Sequence, residues 1–304
     1  MRLPSMKGIP RSGTRLSRIL RSVETVAYQV ILLAPAEDVA PQTLRKSSDP
    51  TRHRRLLHSM QKLRGAVYLG DDAIEPWQLR ADGRHEHVTD AESWHLLAMD
   101  TRGRVCGCLR YRQLSNQVSF ETLGVNDSAL ASSPVWRGKL QHAIEEELAI
   151  ARREQVAYVE LGGWAIAPER RGTPEALRLA LLAYTLAQAL GGCRGITTAT
   201  VRHRSATILR KIGGQPLEIN GSKMPPYYDP QYRCEMEVLK FDSRRPEKLY
   251  ARWLQELSLR LPEIQVVCNV RGASPSRLPR RHVHSRHFST AWRIDETVPA
   301  VTLG

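Results

Sequence analysis

One short stretch of the chain combines a glutamate, a glycine pair and, further along, two arginines. Glu160 lies within the apolar run VAYVELGGWAIA (156–167), which Gly162-Gly163 interrupt just beyond it. Glycine inside a strand marks a bulge or a close approach by a ligand or another backbone. Desolvation in an apolar strand raises the pKa of a carboxyl group, which suits a general base near neutral pH. Glu160 is therefore predicted to accept a proton, and the alternative is a glutamate that points outward or pairs with an arginine.

The segment after this strand has the features of an anion site. Pro168 ends the strand and Thr173-Pro174 begin a helix, with the loop ERRGT (169–173) between them. The first N–H groups of a helix are unpaired and its dipole is positive there, so phosphate groups bind at such ends. We predict a phosphate or pyrophosphate site on this loop, and the alternative is a surface turn whose arginines are only solvated.

The elements that must position these residues alternate along the chain. Apolar, β-branched runs predict strands, and apolar positions at helical spacing predict helices. The predicted strands are 26–34, 94–100, 104–111, 156–167, 195–201, 216–220 and 232–241. The predicted helices are 51–69, 134–153, 174–190, 205–213 and 246–261. This order indicates one α/β domain with a mixed sheet of six or seven strands flanked by helices.

The net charge of +14 is concentrated at the two ends of the 304-residue chain. Residues 1–22 carry +6 and residues 271–304 carry +4, so the part between them is nearly balanced. It shows no nucleic-acid-binding motif, and no specific nucleic-acid partner is expected. The tails could contact RNA, an acidic protein or an anionic membrane surface, but their composition favours disorder. The predicted division is 1–24 basic tail, 25–245 main domain, 246–270 C-terminal helix and short strand packed on it, and 271–304 basic tail.

Several classes of protein are excluded by the sequence. No apolar run is long enough to span a membrane, and the N-terminal segment lacks the apolar core of a secretory signal. The five cysteines are scattered and form no Cys-x-x-Cys pair, which favours a reducing cytoplasm. No metal-binding motif and no nucleotide-binding P-loop is present, so no metal is expected.

The central segment resembles the GNAT acyltransferase clan, in which a catalytic glutamate precedes a pyrophosphate loop. E-L-G-G-W-A-I (160–166) followed by E-R-R-G-T-P (169–174) has that spacing, and the order of elements fits over about residues 25–242. A narrower resemblance is to acyl-homoserine-lactone synthases and N-acyl amino acid synthases. VELGGW (159–164) is similar to their W-E-L-S-R-F, and ILRKIGG (208–214) to their I-L-R-R-x-G element. The Pro-Pro-Tyr-Tyr of 225–228 looks like exosortase-associated acyltransferases.

The resemblance implies a three-layer fold whose sheet is splayed at its centre, and an activity. It implies transfer of an acyl group, expected to be long, from a thioester to the amine of an amino acid or similar small acceptor, with Glu160 as base. The implied donor-binding residues are Gly162, Gly163, Trp164, Ile166, Arg170, Arg171, Gly172 and Thr173. The implied acceptor-binding residues are Asp82, Asp90 and Arg110. No permanently bound cofactor is implied, since acyl carrier protein or coenzyme A enters as the co-substrate carrying the acyl group.

Departures from the family pattern bear on the donor. Glu169 and Pro174 replace the residues of coenzyme-A-binding loops, which leaves a loop suited to one phosphodiester. Acyl carrier protein is acidic and is the expected partner, because a basic rim steers such a protein. The expected docking residues are Arg170, Arg171, Arg202, His203 and Arg204. The altered loop, with Leu209 in place of a general-acid tyrosine, also leaves an alternative: a catalytically degenerate domain that binds RNA or an acidic protein through its tails.

Overall fold

One mixed sheet organises residues 29–36 and 41–269, which are the residues that the computed structural model describes. Its ten strands are β1 (Gln29–Leu33), β2 (Arg45–Ser48), β3 (Trp94–Met99), β4 (Val105–Leu114), β5 (Ala157–Ile166), β6 (Cys193–Thr200), β7 (Gln215–Pro216), β10 (Tyr227–Asp229), β11 (Cys234–Asp242) and β12 (Gln265–Cys268). Their order is β10-β11-β6-β5-β4-β3-β1-β12-β2, with β7 paired to β11. A separate hairpin consists of β8 (Glu218–Ile219) and β9 (Ser222–Lys223).

Helices cover both faces of this sheet. They are α1 (Pro50–Gly70), α2 (Ala129–Ser132), α3 (Arg137–Glu154), α4 (Glu175–Ala189), α5 (Ser205–Lys211) and α6 (Ala251–Arg260). Met60 of α1 and Ile144 of α3 belong to apolar clusters on one face. Leu182 of α4 belongs to the cluster on the other. The mixed, helix-flanked sheet predicted from the sequence is confirmed.

The first helix shows how the local sequence sets an element's start. Asp49 is its N-cap, and the carboxylate accepts a hydrogen bond from the backbone N–H of Arg52 at 2.9 Å. Pro50 occupies the first turn, where a missing N–H costs nothing. These two residues fix the beginning of α1 and so determine which of its side chains reach the centre of the sheet.

The sheet opens between its two central parallel strands. Strands β5 and β6 pair from Ala157 with Cys193 as far as Leu161 with Thr197. Beyond that point β5 continues to pair with β4 on its other side as far as Ile166. The edge of β5 that faces β6 therefore has no strand partner over 162–166 within the described residues. The predicted central splay is confirmed, and it begins at the glycine pair.

The sheet contains more strands than the six or seven predicted from the sequence. The additional ones, β2 and β10, are short, with four and three residues. The strand predicted at 216–220 is divided between β7 in this sheet and β8 in the separate hairpin. β12 also has four residues and lies inside the sheet, parallel to β1 and β2 on either side. Segments as short as β2 and β10 give no clear alternation, and only their backbone pairing identifies them. β12 falls within 246–270, where a short strand was expected. The two basic tails lie outside the described residues, and the domain boundaries stay a prediction.

Candidate active site

One face of α1 lies against the splay. Arg64, Tyr68 and Asp71 have the spacing i, i+4, i+7, which places them on the same side of the helix. The Nη1 atom of Arg64 lies 3.3 Å from the position that a Cβ atom on Gly163 would occupy. The Cβ of Arg110 lies 3.1 Å from that position, and Gly163 has a φ of +58°. Only glycine fits here without strain, because both the close approach and the left-handed backbone exclude a side chain.

Arg64 and Asp90 form a buried ion pair beside this glycine. Arg64 donates to both carboxylate oxygens of Asp90, at 2.9 and 2.6 Å, and Gln61 donates to the same carboxylate at 2.9 Å. The two charged side chains are 1% and 4% exposed. Burial opposes ionisation of Asp90, but Arg64 outweighs it and holds the pKa of Asp90 well below its ordinary value. Asp90 therefore neutralises and orients Arg64 at the site.

Arg110 carries a largely buried guanidinium that has no hydrogen bond or ion pair among the described residues. Its Nε atom is fully buried without a partner, and Nη2 lies 3.3 Å from the position of a Cβ on Gly162. Burial, together with the nearby charge of Arg64, lowers its pKa. A buried cation without a partner is costly, so this position favours binding of an anionic group.

Three histidines surround the two arginines. Burial lowers the pKa of His85, His87 and His95 to about 4 in each case, and the charges of Arg64 and Arg110 add to the effect. His85 packs its ring against Tyr68 with centroids 5.6 Å apart, and its backbone oxygen accepts from Arg64 at 2.5 Å. All three rings are neutral at neutral pH, so the positive charge here comes from the arginines.

We expect acid to destabilise the protein through His95, which is 1% exposed. Its pKa is about 4 in the folded protein against 6.5 when solvated, so the unfolded chain binds the proton first as the pH falls. The free energy of unfolding therefore has its full value, with respect to His95, above about pH 6.5. It falls by about 3 kcal/mol as the pH decreases from about 6.5 to about 4. Urea unfolding across this range should show a shallower loss for His95→Gln than for the wild type. An equal loss would contradict the assignment, and the exposed His142→Gln serves as the control.

Glu160 is buried on β5, and both of its carboxylate oxygens are engaged. Oε1 accepts from the backbone N–H of Gly124 at 2.6 Å, and Oε2 accepts from Nη1 of Arg112 at 3.0 Å. Arg112 stands opposite Glu160 on β4 and also donates to Glu92 at 3.3 Å. The alternative of pairing with an arginine is thus realised. Each carboxylate oxygen can accept two hydrogen bonds and accepts one here, so one lone pair on each is left to receive a proton.

The predicted phosphate loop lies at the open end of the splay. Arg170 ends a 3-10 helix, Arg171 forms an ion pair with Asp71 at 2.7 Å, and Gly172 has a φ of +76°. The helix begins one residue later than predicted, however: Pro174 is the N-cap of α4, and the Thr173 hydroxyl donates to the backbone oxygen of Arg170 at 2.5 Å. The helix start consequently has no side-chain cap, which leaves its first N–H groups uncapped by this chain.

Of the other predicted site residues, some lie at the splay and one lies away from it. Trp164 and Ile166 follow the glycine pair on β5 and pack against the core under α4. Asp82 lies on the surface, where its carboxylate pairs with Arg84 at 2.7 Å, and it does not join the group around Arg110. Arg64 was missed by the sequence analysis, although it occupies the apolar stripe of α1 that Met60 and Val67 mark. A charged residue on a buried stripe is itself a signal of a site.

Two absences are observed in the described residues. No group of three or more histidine, cysteine, aspartate or glutamate side chains there is arranged to hold a metal ion. No helix in residues 29–36 and 41–269 is long and apolar enough to cross a bilayer.

Several solved structures are similar to this chain, and they come from the families that its sequence resembles. A CoA-dependent acyl-homoserine lactone synthase, BjaI, solved with SAM and isopentyl-CoA, has 16% identity and a TM-score of 0.49, over 81% of this chain and 95% of that one. FeeM, an N-acyl amino acid synthase from uncultured soil microbes, has 10% identity and a TM-score of 0.43, over 72% and 93%. A putative N-acetyltransferase from Lactobacillus plantarum has 11% identity and a TM-score of 0.39, over 71% and 98%.

No protein-family model and no curated protein matches the sequence. At the identities and TM-scores of the solved structures, the likeness concerns the course of the chain only. The functional proposal therefore depends on the geometry of the splay and of the residues around it.

Proposed function

We propose that this protein is an N-acyltransferase that moves an acyl group from a thioester to the amine of an amino acid or a similar small acceptor. The observation that carries the proposal is the unpaired edge of β5 over 162–166, with Glu160 and Arg110 directly beside it. An unpaired strand edge binds an extended, amide-containing chain by forming backbone-like hydrogen bonds. The phosphopantetheine arm of acyl carrier protein or coenzyme A contains two amides and has this form.

The donor lies, in this proposal, in the gap between β5 and β6 with its phosphate at the loop that carries Arg171. The arm then runs along β5 towards the glycine pair, where backbone N–H groups between Gly162 and Ile166 polarise the thioester carbonyl. The gap brings the carbonyl carbon to Glu160, which lies two residues before Gly162 on the same face of the strand. This arrangement supplies both alignment and electrostatic stabilisation.

The acceptor carries a carboxylate, in this proposal, because the unpaired guanidinium of Arg110 fits such a group. Bound there, its amine faces Glu160, which takes the proton directly or through a water molecule. The amine nitrogen attacks the carbonyl carbon, the carbon–nitrogen bond forms and the carbon–sulfur bond breaks. The thiolate of the donor leaves and is protonated, so the products are an N-acyl amino acid and the free thiol.

The direct experiment incubates the full-length protein with long-chain acyl carrier protein and acyl coenzyme A together with mixed amino acids. Mass spectrometry should find an N-acylated amino acid, absent when the protein is heat-treated. Retention on nucleic acid is measured in parallel as a function of salt. Salt-sensitive retention without acylated product would overturn the proposal in favour of a catalytically degenerate binding module.

Acyl carrier protein is the proposed donor, and the reaction is proposed to take place in the cytoplasm. Three of the five expected docking residues support this proposal, since Arg171, Arg202 and His203 all lie against Asp71 although they follow different strands. We expect turnover with the carrier-bound acyl chain to exceed that with coenzyme A and to fall as ionic strength rises, because screening weakens steering of an acidic protein. One acyl chain presented on both carriers across a salt series measures this. A better rate with coenzyme A, or no salt dependence, would contradict it.

A further inference from the structure

Asp71 lies at the open end of the gap between β5 and β6 and contacts residues of both flanking loops. Its carboxylate forms an ion pair with Arg171, from the loop after β5, at 2.7 Å. Arg202, from the loop after β6, donates to its backbone oxygen. His203 of that second loop places Nε2 at 3.6 Å from the same carboxylate. One acidic residue therefore joins the two loops whose separation creates the gap.

Helix capping does not explain an aspartate at this position. Asp71 is the C-cap of α1, where the helix dipole is negative and a carboxylate is unfavourable. The last turn of α1 contains no basic residue that would offset this charge. The compensation comes from Arg171 and Arg202, which lie outside the helix. Asp71 is held by the cations of the gap, and its side chain is only 14% exposed.

We infer that the carboxylate of Asp71 competes with the phosphate group of the donor for Arg171, so that the phosphate must displace this carboxylate to reach the guanidinium. This inference rests on the proposed function and identifies the residue that sets how strongly a phosphate ester binds at the mouth of the gap. A carboxylate and a phosphate use the same guanidinium donors, so both cannot hold them at once. With Asp71 in place the two loops are joined, and with phosphate in its place the gap is open to the arm.

The opposite role would be that Asp71 orders the arginines for the phosphate. The two roles predict opposite signs, because removal of a competitor strengthens phosphate binding, whereas removal of an organising partner weakens it. The neighbouring Asp72 offers a matched control: it carries the same charge, is exposed, and has a φ of 55°, which asparagine also tolerates.

The test measures binding of 4′-phosphopantetheine and of pantetheine, which lacks the phosphate, by calorimetry. Asp71→Asn should bind phosphopantetheine roughly fivefold more tightly than the wild type, while Asp72→Asn stays within about twofold. Pantetheine should bind all three proteins alike, since the effect concerns the phosphate. Circular dichroism and the melting temperature confirm that the variants are folded. Unchanged or weaker binding by Asp71→Asn would overturn the inference. A lack of acylated product in the assay above, with tighter binding by this variant, would overturn the proposed function alone.

Discussion

Arg110→Met is expected to raise the KM for a carboxylated amine acceptor by roughly 30-fold or more, with a smaller change in kcat at saturation. Removal of one partner from a buried, charge-assisted pair costs about 2 to 5 kcal/mol, which corresponds to this range. Arg110 has no ion-pair partner among the described residues, and its guanidinium is largely buried. Its charge is thus available to an incoming carboxylate. Steady-state kinetics with the acceptor varied and the donor saturating measures the effect.

The stability of the same variant separates this role from damage to the fold. Replacement of an unpaired buried charge by an apolar side chain of similar length relieves a desolvation cost. The melting temperature of Arg110→Met should therefore equal or exceed that of the wild type while acceptor binding weakens. For an acceptor in which an amide replaces the carboxylate, the KM should differ little between Arg110→Met and the wild type. The exposed Arg102→Met is the control, and an unchanged KM in Arg110→Met would contradict the assignment.

Glu160→Gln is expected to lower kcat by about 100-fold or more, because a glutamine cannot take the proton of the attacking amine. The KM values should change little, since neither the carboxylate-binding Arg110 nor the phosphate loop is altered. The NH2 group of the glutamine would face a hydrogen-bond donor, either Gly124 N–H or Arg112, which could lower stability. The melting temperature of the variant is therefore recorded as well. Turnover is measured with both substrates saturating.

Glu92→Gln is the matched control for that variant, because Glu92 also binds Arg112 but lies at the surface, 66% exposed. Its turnover should remain near that of the wild type. A loss of similar size in Glu92→Gln would mean that the charge of Arg112, and not the carboxylate on β5, governs the rate. Full turnover by Glu160→Gln at saturating donor and acceptor would remove Glu160 from the mechanism altogether.

The sequence predicted the strand residues at the centre of the site but not the side chains that contact them. Glu160 and the glycine pair were visible because they interrupt an apolar strand, and the splay begins at that interruption. The pairing of Glu160 with Arg112 was not visible, since it depends on the register between β4 and β5, which shifts between Cys108 and Arg110. A cross-strand partner follows from such irregularities and not from spacing along the chain.

The buried polar residues of α1, the helix that lies against the splay, could not be predicted from the sequence either. The periodicity of α1 predicted its bounds to within a residue, but it gave no indication that Arg64 and Gln61 are buried. Arg64 and Gln61 are buried because Asp90, far along the chain, supplies their hydrogen bonds. Burial of polar groups is decided by partners brought together in the fold, which a local pattern does not contain.

The position of β12 has a consequence for how the chain acquires its structure during synthesis. β1 is made early, yet one of its two neighbours in the sheet consists of residues 265–268. Until those residues leave the ribosome, that edge of β1 exposes unpaired backbone groups, and β2 lacks its connection to the sheet. Pairing between segments so distant in sequence closes slowly and late. The nascent protein therefore passes through an interval in which an open strand edge is vulnerable to aggregation, and this interval ends only when β12 inserts between β1 and β2.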